Sequence, residues 1–140
     1  TPCRAFTLIL LYTGMRAGEL CDPGLDISHL CDGYIVGGLK TDAGRGRIIP
    51  IHNDIRDIAQ DFFKTRQVTY NTRYYHFKAL FPKHVLHDCR RAFISQAQVC
   101  GVDPVAAHKI TGHVIKDIHY DIYTELPVSY LRSEINKLYW

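Results

Sequence analysis

From Ala5 to Tyr12 the chain reads Ala-Phe-Thr-Leu-Ile-Leu-Leu-Tyr, apolar on every face a helix would present. Such a helix is stable only when surrounded. The run is far shorter than the ~20 residues a membrane span needs, so the rest of the chain must cover it. A buried helix from Cys3 to about Leu20 is therefore the expected centre of the fold. The remaining chain is long enough to do this: 140 residues, 46% hydrophobic and 22% charged, suit one globular domain and exclude a mainly disordered chain.

Beyond the central helix the period changes. Gly24–His29 and Tyr34–Leu39 read as short strands, and Asp32-Gly33 between them is a two-residue hairpin turn whose type needs positive φ at both positions. A second turn at 40–44 leads into a third strand, Arg45–His52. Asn53 is placed to cap a helix. Ile55, Ile58, Ala59, Phe62 and Phe63 then fall on one helical stripe. Gln67–Lys83 lacks a clear period and reads as loop with a short helix. Val85–Cys100 predicts a helix stopped by Gly101, and Asp103-Pro104 starts another that ends near Gly112. A short helix is expected around Ile118–Thr124. The last helix, about 127–138, opens at Pro127 and carries a Val128/Leu131/Ile135/Leu138 stripe, which needs an apolar partner on its own domain or a neighbour. The expected fold is α+β, mostly helical, one domain over 1–140 with a small three-stranded antiparallel sheet.

Five cysteines, an odd number without CxxC spacing, fit a reduced compartment, so a cytoplasmic location is expected. The chain opens Thr1-Pro2-Cys3 without Met or a basic leader, so no signal peptide is expected and the chain reads as an excised or processed piece. The net charge of +3 is concentrated. Residues 64–91 hold Lys64, Arg66, Arg73, Lys78, Lys83, Arg90 and Arg91 against Asp88 alone, while both flanks are slightly acidic. Tyr70, Tyr74, Tyr75, Phe77 and Phe81 are interleaved with these cations. That pattern suits either a nucleic-acid surface or a solvated face whose aromatics belong to the core.

Four separated places carry chemistry. Arg16 stands between two glycines in Thr13-Gly14-Met15-Arg16-Ala17-Gly18-Glu19-Leu20, where a guanidinium could bind phosphate, with Glu19 holding it, or merely pair with Glu19. Lys40 lies on a turn, either reaching a phosphate or simply solvated. His87-Asp88-Cys89-Arg90-Arg91 puts a His and an Arg on one helical face, a pairing able to serve proton transfer and phosphate charge. His113 follows Thr111-Gly112, and Tyr123 lies ten residues on, in Ile122-Tyr123-Thr124. Tyrosine serves as a covalent nucleophile when neighbours activate it; His113 alone could equally be a polar helix end.

The ordered series, an Arg in a GxRxGEL context, a hairpin Lys, HDxRR on a helix, GH and a Tyr in an IYT context, resembles the catalytic domain of the tyrosine recombinases, the phage-integrase family. The likeness runs from Thr13 to Tyr123. It implies that Arg16 and Arg90 hold the non-bridging oxygens of a scissile phosphate. By the same likeness Lys40 protonates the leaving 5′-oxygen, His87 assists proton transfer at the tyrosine, and His113 hydrogen-bonds the phosphate. Tyr123 would attack to give a 3′-phosphotyrosine, with Glu19 and Asp88 as supports. Many relatives space the tyrosine nine residues after the GH histidine; Tyr123 at ten matches the IYT context, and Tyr120 at seven is the competing position.

The resemblance further implies double-stranded DNA as partner, contacted by Arg45, Arg47, Arg73, Lys78 and Arg91, and a homo-oligomer, a tetramer, on that DNA. It implies core-binding and arm-binding domains outside this chain, and site-specific recombination serving a phage or mobile element. Fixed cations would do the electrostatic work that Mg²⁺ does in many phosphoryl transfers, so neither metal nor cofactor is expected, and no membrane. Three rivals differ in class: a type IB topoisomerase-like enzyme, a non-catalytic DNA-binding module, and a metal-dependent nuclease using His84, His87, His108, His113 and His119. Adduct formation without recombination, binding without adduct, and chelator-sensitive cleavage would respectively mark them.

Overall fold

A computed structural model describes residues 2–38, 46–66, 69–113 and 125–140. The apolar run forms α1 (Pro2–Thr13), with Phe6, Ile9 and Leu10 fully enclosed. α1 stops well short of the expected end near Leu20. Gly14 takes φ +68°, and a Cβ there would lie 2.4 Å from the Phe93 ring and 2.9 Å from the Thr111 methyl. Arg16 follows in extended conformation as the N-cap of a single-turn α2 (Ala17–Leu20). At this break Arg16 is exposed, although Gly14, Met15 and Ala17 around it are buried.

Among the described residues one sheet forms, in the order β1 (Leu30–Cys31), β2 (Tyr34–Gly37), β3 (Arg47–Pro50), antiparallel throughout. Leu30 pairs with Ile35, Ile35 with Ile49, and Gly37 with Arg47. The first strand is shorter than expected. Asp26 accepts a hydrogen bond from the Ser28 N–H at 2.9 Å, and the His29 ring returns to the Asp26 N–H at 3.1 Å. This local bonding winds Ile27–His29 into a 3-10 turn before pairing can begin. In the hairpin only Gly33 has positive φ (+85°), so the expectation for Asp32 is corrected. The turn at 40–44 and the start of the third strand at Arg45 lie outside the described residues.

His52, not Asn53, caps the following turn: its Nδ1 accepts from the Asp54 N–H at 3.0 Å. α3 (Arg56–Lys64) then buries Ala59, Phe62 and Phe63, the expected stripe. α4 (Tyr70–Leu80) is a three-turn helix where a loop with a short helix is expected. It buries Arg73 and Phe77 while Tyr70 and Tyr75 face solvent, so its apolar residues mark no single stripe. α5 (His87–Val99) packs against α1, and Gly101 ends it at φ +74°. α6 (Pro104–Thr111) is capped by Asp103, which accepts from the Val105 N–H at 2.9 Å, and closes on Gly112 at φ +72°. The helix expected around Ile118–Thr124 lies outside the described residues.

α7 (Val128–Ile135) folds back on its own domain and packs against β3. Leu131, Ile135 and Leu138 are buried in the common core. His52 Nε2 donates to the Leu138 carbonyl at 2.8 Å, Asn136 accepts from the Asn53 N–H at 2.9 Å, and Glu134 accepts from the Asp103 N–H at 2.8 Å. With His52 Nδ1 used as an acceptor, one neutral imidazole serves both neighbours. The described residues are thus mostly helical, around one core, with the sheet on one flank. Among them no helix is long and apolar enough to cross a membrane.

Candidate functional site

Arg90 is the centre of the site. It stands in the first turn of α5, yet it is only 2% exposed. Its Nη1 donates to the carbonyls of Gly14 at 2.7 Å and Thr111 at 2.9 Å. One guanidinium therefore joins the α1 break to the C-terminal end of α6. Both carbonyls are groups a helix end leaves unpaired. Nη2 is buried and has no partner among the described residues. A buried donor without an acceptor is costly, and a guanidinium fork in that state suits an oxyanion.

Four of the expected residues share this place. Burial, followed by the charges of Arg16 and Arg47, pushes Arg90 down to about 10, with Glu19 opposing. His87 is held below the ordinary histidine value by burial, then by Arg91, Arg90 and Arg16, with Asp88 opposing. His113 is lowered by burial, then by Arg90, His108, Arg16 and His87. Arg16, His87, Arg90 and His113 thus feel one another's charge, although they come from three separated stretches of chain. Arg16, His87 and His113 are solvent-facing, so an exposed rim surrounds a buried cation. Burial and the neighbouring cations make the imidazolium form less favourable at both rings.

Glu19 does not hold Arg16. It pairs with Arg47, Oε1 to Nη2 at 2.6 Å, and Arg47 Nε donates to the Ile110 carbonyl at 2.7 Å. The two side chains are 10% and 7% exposed, so this is an interior ion pair. Arg47 is therefore corrected from a DNA-contacting cation to a strut between β3, α2 and the end of α6. Its charge is satisfied inside the protein. Arg73, expected to contact DNA, is instead only 7% exposed on α4, with its Nε buried.

Lys78 donates to the carbonyls of Pro82 at 2.8 Å and His84 at 3.0 Å, pinning the turn that leads into α5. Asp88 accepts from the Val85 N–H at 2.9 Å and pairs with His84 and Arg91, so it ties the turn before α5 to the helix's first turn, which carries His87 and Arg90. Its carboxyl is lowered first by that backbone bond, with His84 and Arg91 adding to it and burial opposing. Arg91 is exposed beside His87. Lys40, Arg45, Tyr120 and Tyr123 lie outside the described residues.

Two supports are not anticipated from the sequence. Gly14 supplies both the chain break and a carbonyl for Arg90; its signal is a glycine directly after a buried helix. Thr111 supplies a carbonyl for Arg90, and its Oγ1 lies 3.4 Å from His113 Nδ1. Its signal is a hydroxyl residue two before a histidine, across a glycine. Among the described residues no three His, Cys, Asp or Glu side chains form a metal-holding group; His119 lies outside them. The cysteines are all free, with Cys3, Cys21 and Cys89 buried and Cys31 and Cys100 half-buried. No family model matches the chain, nor does any curated protein or solved structure.

Proposed function

We propose that the chain is the catalytic domain of a tyrosine recombinase, cleaving and rejoining DNA through a 3′-phosphotyrosine. The observation that carries this reading is Arg90: a buried guanidinium, rigidly held by two backbone carbonyls, with one amino group left for an oxyanion. The motif series from Arg16 to Tyr123 supplies the rest.

In this reading the phosphodiester's non-bridging oxygens sit between Arg90 and Arg16. Charge that grows on them in the transition state meets donors fixed beforehand. The Tyr123 oxygen attacks phosphorus while the bond to the 5′-oxygen breaks. The tyrosine proton passes to His87, whose neutral form is favoured by its burial and its cationic neighbours. Lys40 delivers a proton to the departing 5′-oxygen. The phosphotyrosine conserves the bond for a later attack by another strand's 5′-hydroxyl, so no nucleotide is consumed. Double-stranded DNA is the substrate, and the working unit is a homo-oligomer, a tetramer, on it.

A nicked duplex that loses its 5′-hydroxyl fragment after cleavage traps the intermediate. The expected result is a protein–DNA adduct that survives denaturation, is absent from Tyr123→Phe and Arg16→Ala, and persists in Tyr120→Phe. An adduct that persists in Tyr123→Phe would overturn the nucleophile. DNA binding with no adduct in any form would overturn the reaction itself. Relaxation of supercoils without strand exchange would point to a topoisomerase.

A further inference from the structure

We propose that the Thr111 hydroxyl fixes the hydrogen pattern of the His113 ring, so that His113 donates to a bound anion only as an imidazolium. The proposal rests on the recombinase reading for the identity of that anion, a DNA phosphate; the hydrogen-bond argument is independent of it.

Thr111 is the last residue of α6 and is almost wholly buried. A hydroxyl has one hydrogen to give. Thr111 Oγ1 donates it to the Ala107 carbonyl at 2.9 Å, with the His108 carbonyl at 3.4 Å sharing the same direction. The left-handed Gly112 then turns the chain so that His113 Nδ1 lies 3.4 Å from the same oxygen. With its hydrogen committed to a carbonyl, Oγ1 meets Nδ1 only as an acceptor. Nδ1 therefore carries the hydrogen. A neutral imidazole has a single N–H, so Nε2 is left with a bare lone pair, which repels an anionic oxygen. Nε2 becomes a donor only when the ring gains a second proton.

The surroundings resist that proton until an anion arrives. Arg90 and His87 face the ring from α5, His108 from α6, and Arg16 from the α1 break, and each disfavours the imidazolium. Arg47 of β3 lies against Gly112, already paired with Glu19. An anion placed among these cations would offset their field and raise the ring's affinity for a proton. Anion capture at this site is thereby coupled to uptake of a proton at His113. Thr111 is a positioning residue: it acts through His113.

The test uses the full chain with ¹⁵N-labelled histidine, and long-range proton–nitrogen spectra that distinguish the two neutral forms. The His113 signals are assigned by their loss in His113→Gln. In the unsubstituted chain at high pH, His113 is expected in the Nδ1–H form, and Thr111→Ser should keep it. Thr111→Val should move it to the Nε2–H form. Sulfate, which keeps both charges over this pH range, should raise the His113 titration midpoint by about one pH unit, and by less in Thr111→Val. An Nε2–H form in the unsubstituted chain overturns the proposal. So does an equal sulfate effect in the two chains, or no sulfate effect at all. A chain that shows the Nδ1–H form yet forms no adduct with nicked DNA sinks the recombinase reading and leaves this proposal standing. Adduct formation with an Nε2–H ring does the reverse.

Discussion

The Arg90 guanidinium donates to the Gly14 carbonyl across 76 positions of sequence, at 2.7 Å. Through that one bond the residue that breaks α1 and the residue buried at the start of α5 define each other. Arg16, two positions beyond Gly14, inherits its orientation from the same joint.

Gly14→Ala tests the joint directly. A left-handed backbone costs a non-glycine residue ~1–2 kcal/mol, and overpacking against Phe93 adds ~1–3 kcal/mol. A loss of about 2–5 kcal/mol in urea unfolding is expected. Combining it with Phe93→Leu should cost less than the two singles together, because the ring atom 2.4 Å from the new Cβ is gone. Strict additivity would show that Phe93 is not the obstruction.

The Glu19–Arg47 pair predicts a strong double-mutant coupling. Removing one partner leaves the other charge interior and unpaired, at a cost of ~3–5 kcal/mol. Glu19→Gln and Arg47→Gln should each destabilise the chain clearly, and the double substitution should fall well short of their sum. If the pair were a surface contact, each single change would stay below ~1 kcal/mol, readable in the same unfolding experiment.

Under the proposed reaction His87 must be neutral to accept a proton. Its imidazolium is disfavoured by burial and, next, by Arg91. Single-turnover adduct formation should therefore rise with pH and level off at a midpoint below the ordinary histidine value. Arg91→Gln removes the largest charge that lowers it, so the midpoint should move upward. A profile that ignores Arg91 would remove His87 from the proton path.

The buried α7 makes a prediction about stability and concentration. Ile135 is fully enclosed, so Ile135→Ala should cost ~2–5 kcal/mol. Removing residues 127–140 should abolish cooperative unfolding. Because the helix packs on its own chain, the unfolding midpoint of the intact protein should not depend on protein concentration. A midpoint that climbs with concentration would indicate exchange of α7 between copies.

Much of this architecture is legible in the residues. The stripe on α3, the stops at Gly101 and Gly112, and the shared face of His87 and Arg90 follow from local chemistry, which sequence reports well. The features that escape are those that distant residues decide. Nothing local marks Arg47 as interior, since its burial depends on Glu19 and the Ile110 carbonyl arriving from elsewhere. Lys78 and Asp88 look like surface charges until the turn they secure is seen. α4 hides from periodicity because it buries a cation and exposes tyrosines. The break at Gly14 leaves only a faint local signal, a glycine after a buried helix, because Phe93 and Thr111, which fill the space a side chain would need, arrive from elsewhere.

Arg90 also sets when a cost is met. A guanidinium in free solution must shed its hydration as an anion arrives, which weakens the encounter. Here that water is stripped during folding, and the core holds the penalty in every molecule, liganded or not. The hydrogen bonds to the Gly14 and Thr111 carbonyls offset part of that penalty. A methionine at position 90 would lift the desolvation cost but leave both carbonyls without their donor.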